Sequence, residues 1–106
     1  MTKVKLFEKV IIKGQTGRQK KYVAKMDTGA DRTAVDYSVA AAIRLGPIVG
    51  ETKVNGERRP LVKATIKIKD KIYDKVICLA NRAGKKNKIL IGCDILKHFE
   101  VIPRLR

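Results

Sequence analysis

At 106 residues the chain is expected to form one domain, 1–106, with a single modest core and no room for a second. Hydrophobic residues make up 44% and charged residues 33%, with 25 Lys and Arg against 10 Asp and Glu for a formal charge of +15. That balance belongs to a soluble globular chain and excludes a disordered one. No stretch approaches the ~20 apolar residues of a membrane span. The first eight residues interleave Lys3, Lys5 and Glu8 with apolar positions, so neither a secretory signal nor a membrane partner is expected, and the chain reads as cytoplasmic.

Val4, Leu6, Val10 and Ile12 recur with near period-two spacing and predict a first strand through Ile12. Gly14-Gln15-Thr16-Gly17 is a turn, and Gln19–Met26 returns as the second arm of a hairpin. Asp36 is placed to cap a short helix over 37–45, stopped by Gly46-Pro47. Two strands, 48–54 and 57–69, flank Asn55-Gly56, the strongest hairpin signal in the chain. In the second of them Val62, Ala64, Ile66 and Ile68 alternate with Lys63, Thr65, Lys67 and Lys69, which predicts one buried and one wet face. A strand over 72–79, a polar basic loop over 81–88 and a short apolar strand Ile89-Leu90-Ile91 follow. Helical turns over 94–99 and a last strand at Val101-Ile102 end the pattern, giving a mostly β domain with two short helices.

The excess of positive charge draws anions, whether nucleic acid, an anionic membrane or an acidic polypeptide. With three Tyr, two Phe and no Trp there is little aromatic surface for base stacking. Cys78 and Cys93 are too few for a disulfide framework or a paired zinc motif. His98, the single histidine, leaves no basis for a His-rich metal site or a Ser-His-Asp triad. No metal and no cofactor is expected. Cys78 reads as a small buried hydrophobe, and Cys93 as packing beneath a neighbouring loop.

One segment carries chemistry: Asp27-Thr28-Gly29-Ala30-Asp31-Arg32-Thr33, at the end of an apolar strand. A carboxylate on a tight loop can reach a water and a second carboxylate, a Thr hydroxyl can lock the loop, and Gly lets backbone approach backbone. All three residue types also favour ordinary turns, so the triplet alone does not decide. Together with the Asn55-Gly56 hairpin and the later run Ile89-Leu90-Ile91-Gly92-Cys93-Asp94, it resembles the retropepsin-like (retroviral-type) aspartic proteases over nearly the whole chain. The stretch 57–94, with Arg59-Pro60 and Leu79-Ala80-Asn81-Arg82, is similar to a single-domain bacterial and archaeal branch, some of it labelled ATP-dependent zinc protease. The chain has no His-Glu-x-x-His helix to support that label.

The resemblance implies a closed β-barrel of the acid protease fold, one lobe per chain, and an aspartic peptidase with Asp27 as the catalytic residue on the loop Thr28, Gly29 and Ala30. Aspartic protease chemistry needs two carboxylates about 3 Å apart sharing a proton. The chain holds one Asp-Thr-Gly, so a homodimer follows, with the termini, Thr2 to Lys5 and 101–105, expected to pair across the interface. Substrate contacts are expected from Gly29, Asp31, the flap tip Asn55 and Gly56, and Arg58 and Arg59, whose charge points to an acidic, Glu-rich peptide. The family usually has Arg where this chain has Cys93, leaving Asp31 without its usual partner; Arg32, Arg44 and Arg82 are the candidates to replace it. The alternative function is a non-catalytic module of the same fold that docks on RNA or a ribosomal surface through its basic face. The Asp-Thr-Gly triplet, which a binder does not need, separates the two. An unrelated basic β-barrel that binds RNA would call for surface aromatics that the chain lacks.

Overall fold

The computed structural model describes residues 1–103. In chain order these are β1 (Thr2–Lys5), β2 (Phe7–Lys13), β3 (Gln19–Met26), β4 (Ala34–Asp36), α1 (Tyr37–Ile43), β5 (Ile48–Val54), β6 (Glu57–Ile68), β7 (Lys71–Ala80), β8 (Ile89–Ile91), α2 (Cys93–Leu96) and β9 (Phe99–Ile102). Strands follow one another in the order β2-β3-β8-β4-β7-β6, and β2 bonds back to β6, so six strands close on themselves as a barrel. β5 pairs with β6 as the outer arm of a long hairpin, and β1 and β9 form a separate two-stranded sheet. Neither helix among the described residues is long and apolar enough to cross a membrane.

The alternation in β6 does what its spacing predicts. Val62, Ala64, Ile66 and Ile68 enter the core, where they join Val10 and Ile12 of β2, Met26 of β3, Val35 of β4, Ile77 of β7 and Ile89 and Ile91 of β8. Each of these Val, Ile and Met side chains removed from water contributes roughly 1.5–3 kcal/mol. The helices close the barrel with Val39 and Ile43 from α1 and Ile95 and Leu96 from α2. Cys78 is buried, as expected of a small hydrophobe, in a satellite cluster with Ala34 and Ala80 against Leu61. At the hairpin tip Asn55 and Gly56 have φ of 52° and 80°. Both are positive, as the two-residue turns that follow strand twist demand.

Several expectations need correction. The first strand is two, because the chain bends at Leu6. There Met26 N–H donates to the Leu6 carbonyl at 2.8 Å and Lys5 N–H to Glu8 Oε2 at 2.8 Å. β4 is an additional strand of three buried residues. α1 stops two residues before Leu45, since Arg44 takes a left-handed conformation (φ 55°, ψ 54°) with its N–H on the Ala40 carbonyl. α2 begins at Cys93 and ends at Leu96, and β9 starts earlier, at Phe99. Within one protomer β1 and β9 pair with each other in parallel, from Thr2 opposite Phe99 to Lys5 opposite Ile102. Val4 and Phe99 are both buried in the main core, which anchors each strand to its own chain. Leu105 lies outside the described residues.

Asp36 caps α1 as predicted, accepting from Ser38 N–H at 3.0 Å. The same carboxylate takes the Ser38 hydroxyl and the Arg82 N–H. The Ser38 hydroxyl bond holds the carboxyl below its ordinary value; burial opposes it, and the Arg82 and Ser38 N–H groups and the Lys88 charge add to the lowering. The basic loop over 81–88 folds around its own lysine. Lys88 Nζ donates to the carbonyls of Arg82, Ala83 and Lys85 at 3.1, 2.8 and 2.8 Å, which uses all three ammonium protons.

Candidate active site

The loop after β3 is held by backbone bonds at its base. Asp27 N–H donates to the Ile91 carbonyl of β8 at 2.9 Å, and Ala30 N–H to the Asp27 carbonyl at 3.2 Å. Asp27 Oδ1 accepts Gly29 N–H at 2.9 Å. The carboxylate is therefore oriented by its own loop, and the residue is half-buried, with Thr28 and Gly29 exposed beside it. Gly29 has a local reason: a Cβ there would sit 3.2 Å from Asp27 Oδ1, crowding the oxygen that the loop orients.

A second segment locks this loop from beneath. Cys93 N–H donates to the Ala30 carbonyl at 2.7 Å and Asp94 N–H to the Asp31 carbonyl at 3.1 Å. Thr33, fully buried, gives its N–H to both oxygens of Asp94 at 3.0 and 3.1 Å. Its hydroxyl donates to Asp94 Oδ1 at 2.8 Å and accepts Gly92 N–H at 3.1 Å. Every polar group of Thr33 named here is satisfied, as burial requires. Gly92 permits the approach, since a Cβ would fall 2.7 Å from the Arg32 carbonyl carbon and 2.9 Å from the Ala30 oxygen.

Asp94 is the positioning residue that sequence reasoning missed. Its partner, Thr33, lies 61 positions away, and no spacing rule connects them. The available signal was Thr33, a hydroxyl in an apolar context that needs a buried acceptor. Cys93 does lie under the loop: its Sγ is 3.1 Å from the Thr28 carbonyl oxygen, placed to donate a weak S–H bond. Asp31 is exposed and has no ion-pair partner among the described residues. None of the three candidate arginines pairs with Asp31, and two have side-chain bonds elsewhere while the third is fixed through its backbone. Arg32 Nη1 donates to the Val76 carbonyl at 3.2 Å, Arg82 Nε to the Asn87 carbonyl at 3.0 Å, and Arg44 closes α1.

Along the flap, strand alternation separates the two arginines grouped by the sequence reading. Arg58 is 69% exposed and pairs with Glu51 at 3.2 Å. Arg59 points to the other face, is 22% exposed, and has its Nε 3.6 Å from Glu57 Oε1. That separation is too long for a hydrogen bond, and the buried Nε has no acceptor. Asn55 and Gly56 form the exposed tip between β5 and β6. His98 stacks on Tyr73 with ring centroids 5.2 Å apart, away from the Asp27 loop in sequence and bonding. Among the described residues no three His, Cys, Asp or Glu side chains converge to hold a metal ion.

The sequence matches no protein-family model and no curated protein. Its structure is similar to that of Lpg0085, a DUF785 protein of unknown function from Legionella pneumophila. The TM-score is 0.65 at 20% identity, with 96% of this chain and 93% of that one covered. It is also similar to EIAV protease complexed with the inhibitor HBY-793, with TM-score 0.59 at 20% identity over 87% and 85% of the two chains. The retroviral protease-like domain of Ddi1 from Leishmania major gives 0.57 at 15% identity over 87% and 76%. At such identities the likeness is one of architecture, and the closed barrel with its long hairpin and two short helices has the retropepsin-like fold.

Proposed function

We propose that this chain is an aspartic endopeptidase of the single-domain bacterial and archaeal retropepsin-like branch, acting in the cytoplasm as a homodimer with one lobe per chain. The observation that carries the reading is the Asp27 loop: a half-exposed carboxylate oriented by the Gly29 N–H and braced from below by Gly92, Cys93 and Asp94. A lone carboxylate cannot both accept a proton from water and donate one to the scissile carbonyl. Two copies of Asp27 about a two-fold axis can, because carboxylates about 3 Å apart share a single proton. The ionised member then takes a proton from water while the protonated member polarises the carbonyl.

In this reading Thr28, Gly29 and Ala30 shape the loop, and the backbones of Gly29 and Asp31 pair with an extended substrate. The tip at Asn55 and Gly56 closes over it and excludes water. Arg59, on the opposite face of the flap strand from Arg58 and only loosely paired with Glu57 at 3.6 Å, is the flap cation suited to receive a substrate carboxylate, which favours acidic peptides. Arg58 is already paired and contributes through the general field.

The test is cleavage of Glu-rich peptides by wild type and Asp27→Asn, followed by mass spectrometry, with sedimentation run in parallel. The variant is expected to fold and dimerise while losing roughly 10²–10⁴-fold in rate. Dimerisation should strengthen with added salt, since two protomers of charge +15 repel until screening shortens to ~3 Å at 1 M. Unchanged cleavage by Asp27→Asn, or full activity in a monomer, overturns the reading.

A further inference from the structure

A cavity of about 320 Å³ lies apart from the Asp27 loop, lined by Lys13, Gln15, Lys63, Thr65, Asp74 and Lys75, with Gly14, Ala64 and Val76 completing its wall. The sheet register explains the cluster. Lys13 of β2 stands opposite Thr65 of β6, and Thr65 stands opposite Asp74 of β7, with Lys63 opposite Val76 one step along. Residues directly opposite in a sheet share a face, so Lys13, Lys63, Thr65 and Asp74 all face the same way on the outside of the barrel. Lys75, opposite the buried Ala64, borders the cavity but belongs to the other face of β7.

Two lysines, Lys13 and Lys63, therefore stand on the same face at this concavity with one carboxylate, Asp74. Asp74 Oδ1 accepts the Thr65 hydroxyl at 2.6 Å, which orients the carboxylate without cancelling its charge. Among the described residues Lys13, Lys63 and Lys75 have no ion pair and no hydrogen bond from their side chains. Lysines elsewhere behave differently, with Lys88 caged by three carbonyls and Lys69 3.3 Å from Glu8. The next row of the same face carries Lys21 and Lys67 on either side of Ile11, which raises the positive potential at the cavity mouth.

We infer that this cavity is a binding site for a small phosphate-bearing molecule. The volume falls within the range of small-molecule pockets. Lys13 and Lys63 supply point charges that suit a multiply charged tetrahedral anion, whereas planar carboxylates are better matched by the fork of an arginine. The Gln15 side-chain amide adds a neutral donor at the rim. Duplex nucleic acid is the competing occupant, since it presents the same phosphates, but a recessed cavity admits a free phosphate group more readily than one held in a backbone.

Calorimetric titration of the full chain with pyrophosphate and with ATP, at 50 mM and 300 mM salt, tests this. Saturable one-to-one binding is expected that weakens with salt, persists in Asp27→Asn, and falls roughly tenfold in each of Lys13→Gln and Lys63→Gln, the loss of one charge-assisted bond. Both lysines are exposed, so these variants should keep the wild-type circular dichroism. Lys85→Gln, in the loop over 81–88, should bind as wild type. Equal losses in Lys85→Gln and the cavity variants, no saturable binding of either probe, or binding of duplex DNA without either probe would each overturn the assignment. Because no arm reads peptidase activity, failure here and failure of the proposed catalysis are separable.

Discussion

Asp94→Ala tests whether the Asp27 loop is held from beneath in the way described. The substitution removes the acceptor of two donors on a fully buried residue, the Thr33 N–H and hydroxyl. Bonds to a carboxylate contribute about 1.5–3 kcal/mol each, and an orphaned buried donor costs about 1–3 kcal/mol. Allowing for one donor recovering a water, the expected loss is about 3–4 kcal/mol. At roughly 4–8 °C per kcal/mol for a domain near this size, that lowers Tm by about 15–25 °C. Asp94→Asn supplies the contrast. Its amide oxygen can replace Oδ1, which takes both donors at 3.0 and 2.8 Å, so only the Oδ2 contact at 3.1 Å is lost, at a cost of about 1 kcal/mol. Urea unfolding followed by circular dichroism reads both, with an unchanged m-value confirming that stability alone has moved. An Asp94→Ala variant within 1 kcal/mol of wild type, or one no worse than Asp94→Asn, refutes the argument.

Asp36 should make stability fall at acid pH. Its folded value lies below the ordinary 3.8, so its contribution is complete above that value and is lost as pH falls through the depressed one; urea midpoints from pH 6 to 2.5 should show a drop that Asp36→Asn flattens. Gly92→Ala sets a Cβ against backbone atoms of Arg32 and Ala30 that cannot swing aside, and should cost about 3 kcal/mol in the same assay. Arg59→Ser should lower the preference for acidic over neutral peptides by about 1–2 kcal/mol in kcat/KM. Arg58→Ser, at an exposed and already paired position, should change it by less than about 0.5 kcal/mol.

Much of the barrel was legible because its strands carry their own instructions. The alternation from Val62 to Ile68 states which face is wet, and Asn55-Gly56 supplies two residues that tolerate the positive φ found there. β4 was not legible: Ala34, Val35 and Asp36 are all buried, so three residues offer no alternation to read. The pairing of β1 with β9 joins residues 97 positions apart, and no local pattern in either segment names the other. The Asp27 loop could be read from its residue types, yet its brace could not. Asp94 acts through Thr33, and nothing local to either residue names the other. The division of Arg58 from Arg59 follows from strand parity, but only once their strand is known to continue past the core into the flap.

Closure of β2 onto β6 also decides where the molecule is vulnerable to its neighbours at high concentration. A strand with an unpaired edge is a template for aggregation, and a barrel has none. The edges left among the described residues belong to β5 and to the β1–β9 pair. β5 carries two of the usual defences: the register slips between Ile48 and Gly50, and Glu51 and Lys53 punctuate its length. Its first residues, Ile48 and Val49, are exposed apolar side chains without that protection. A charge introduced at Val49 should therefore improve solubility in concentrated solution while leaving the closed barrel, and its unfolding midpoint, unchanged.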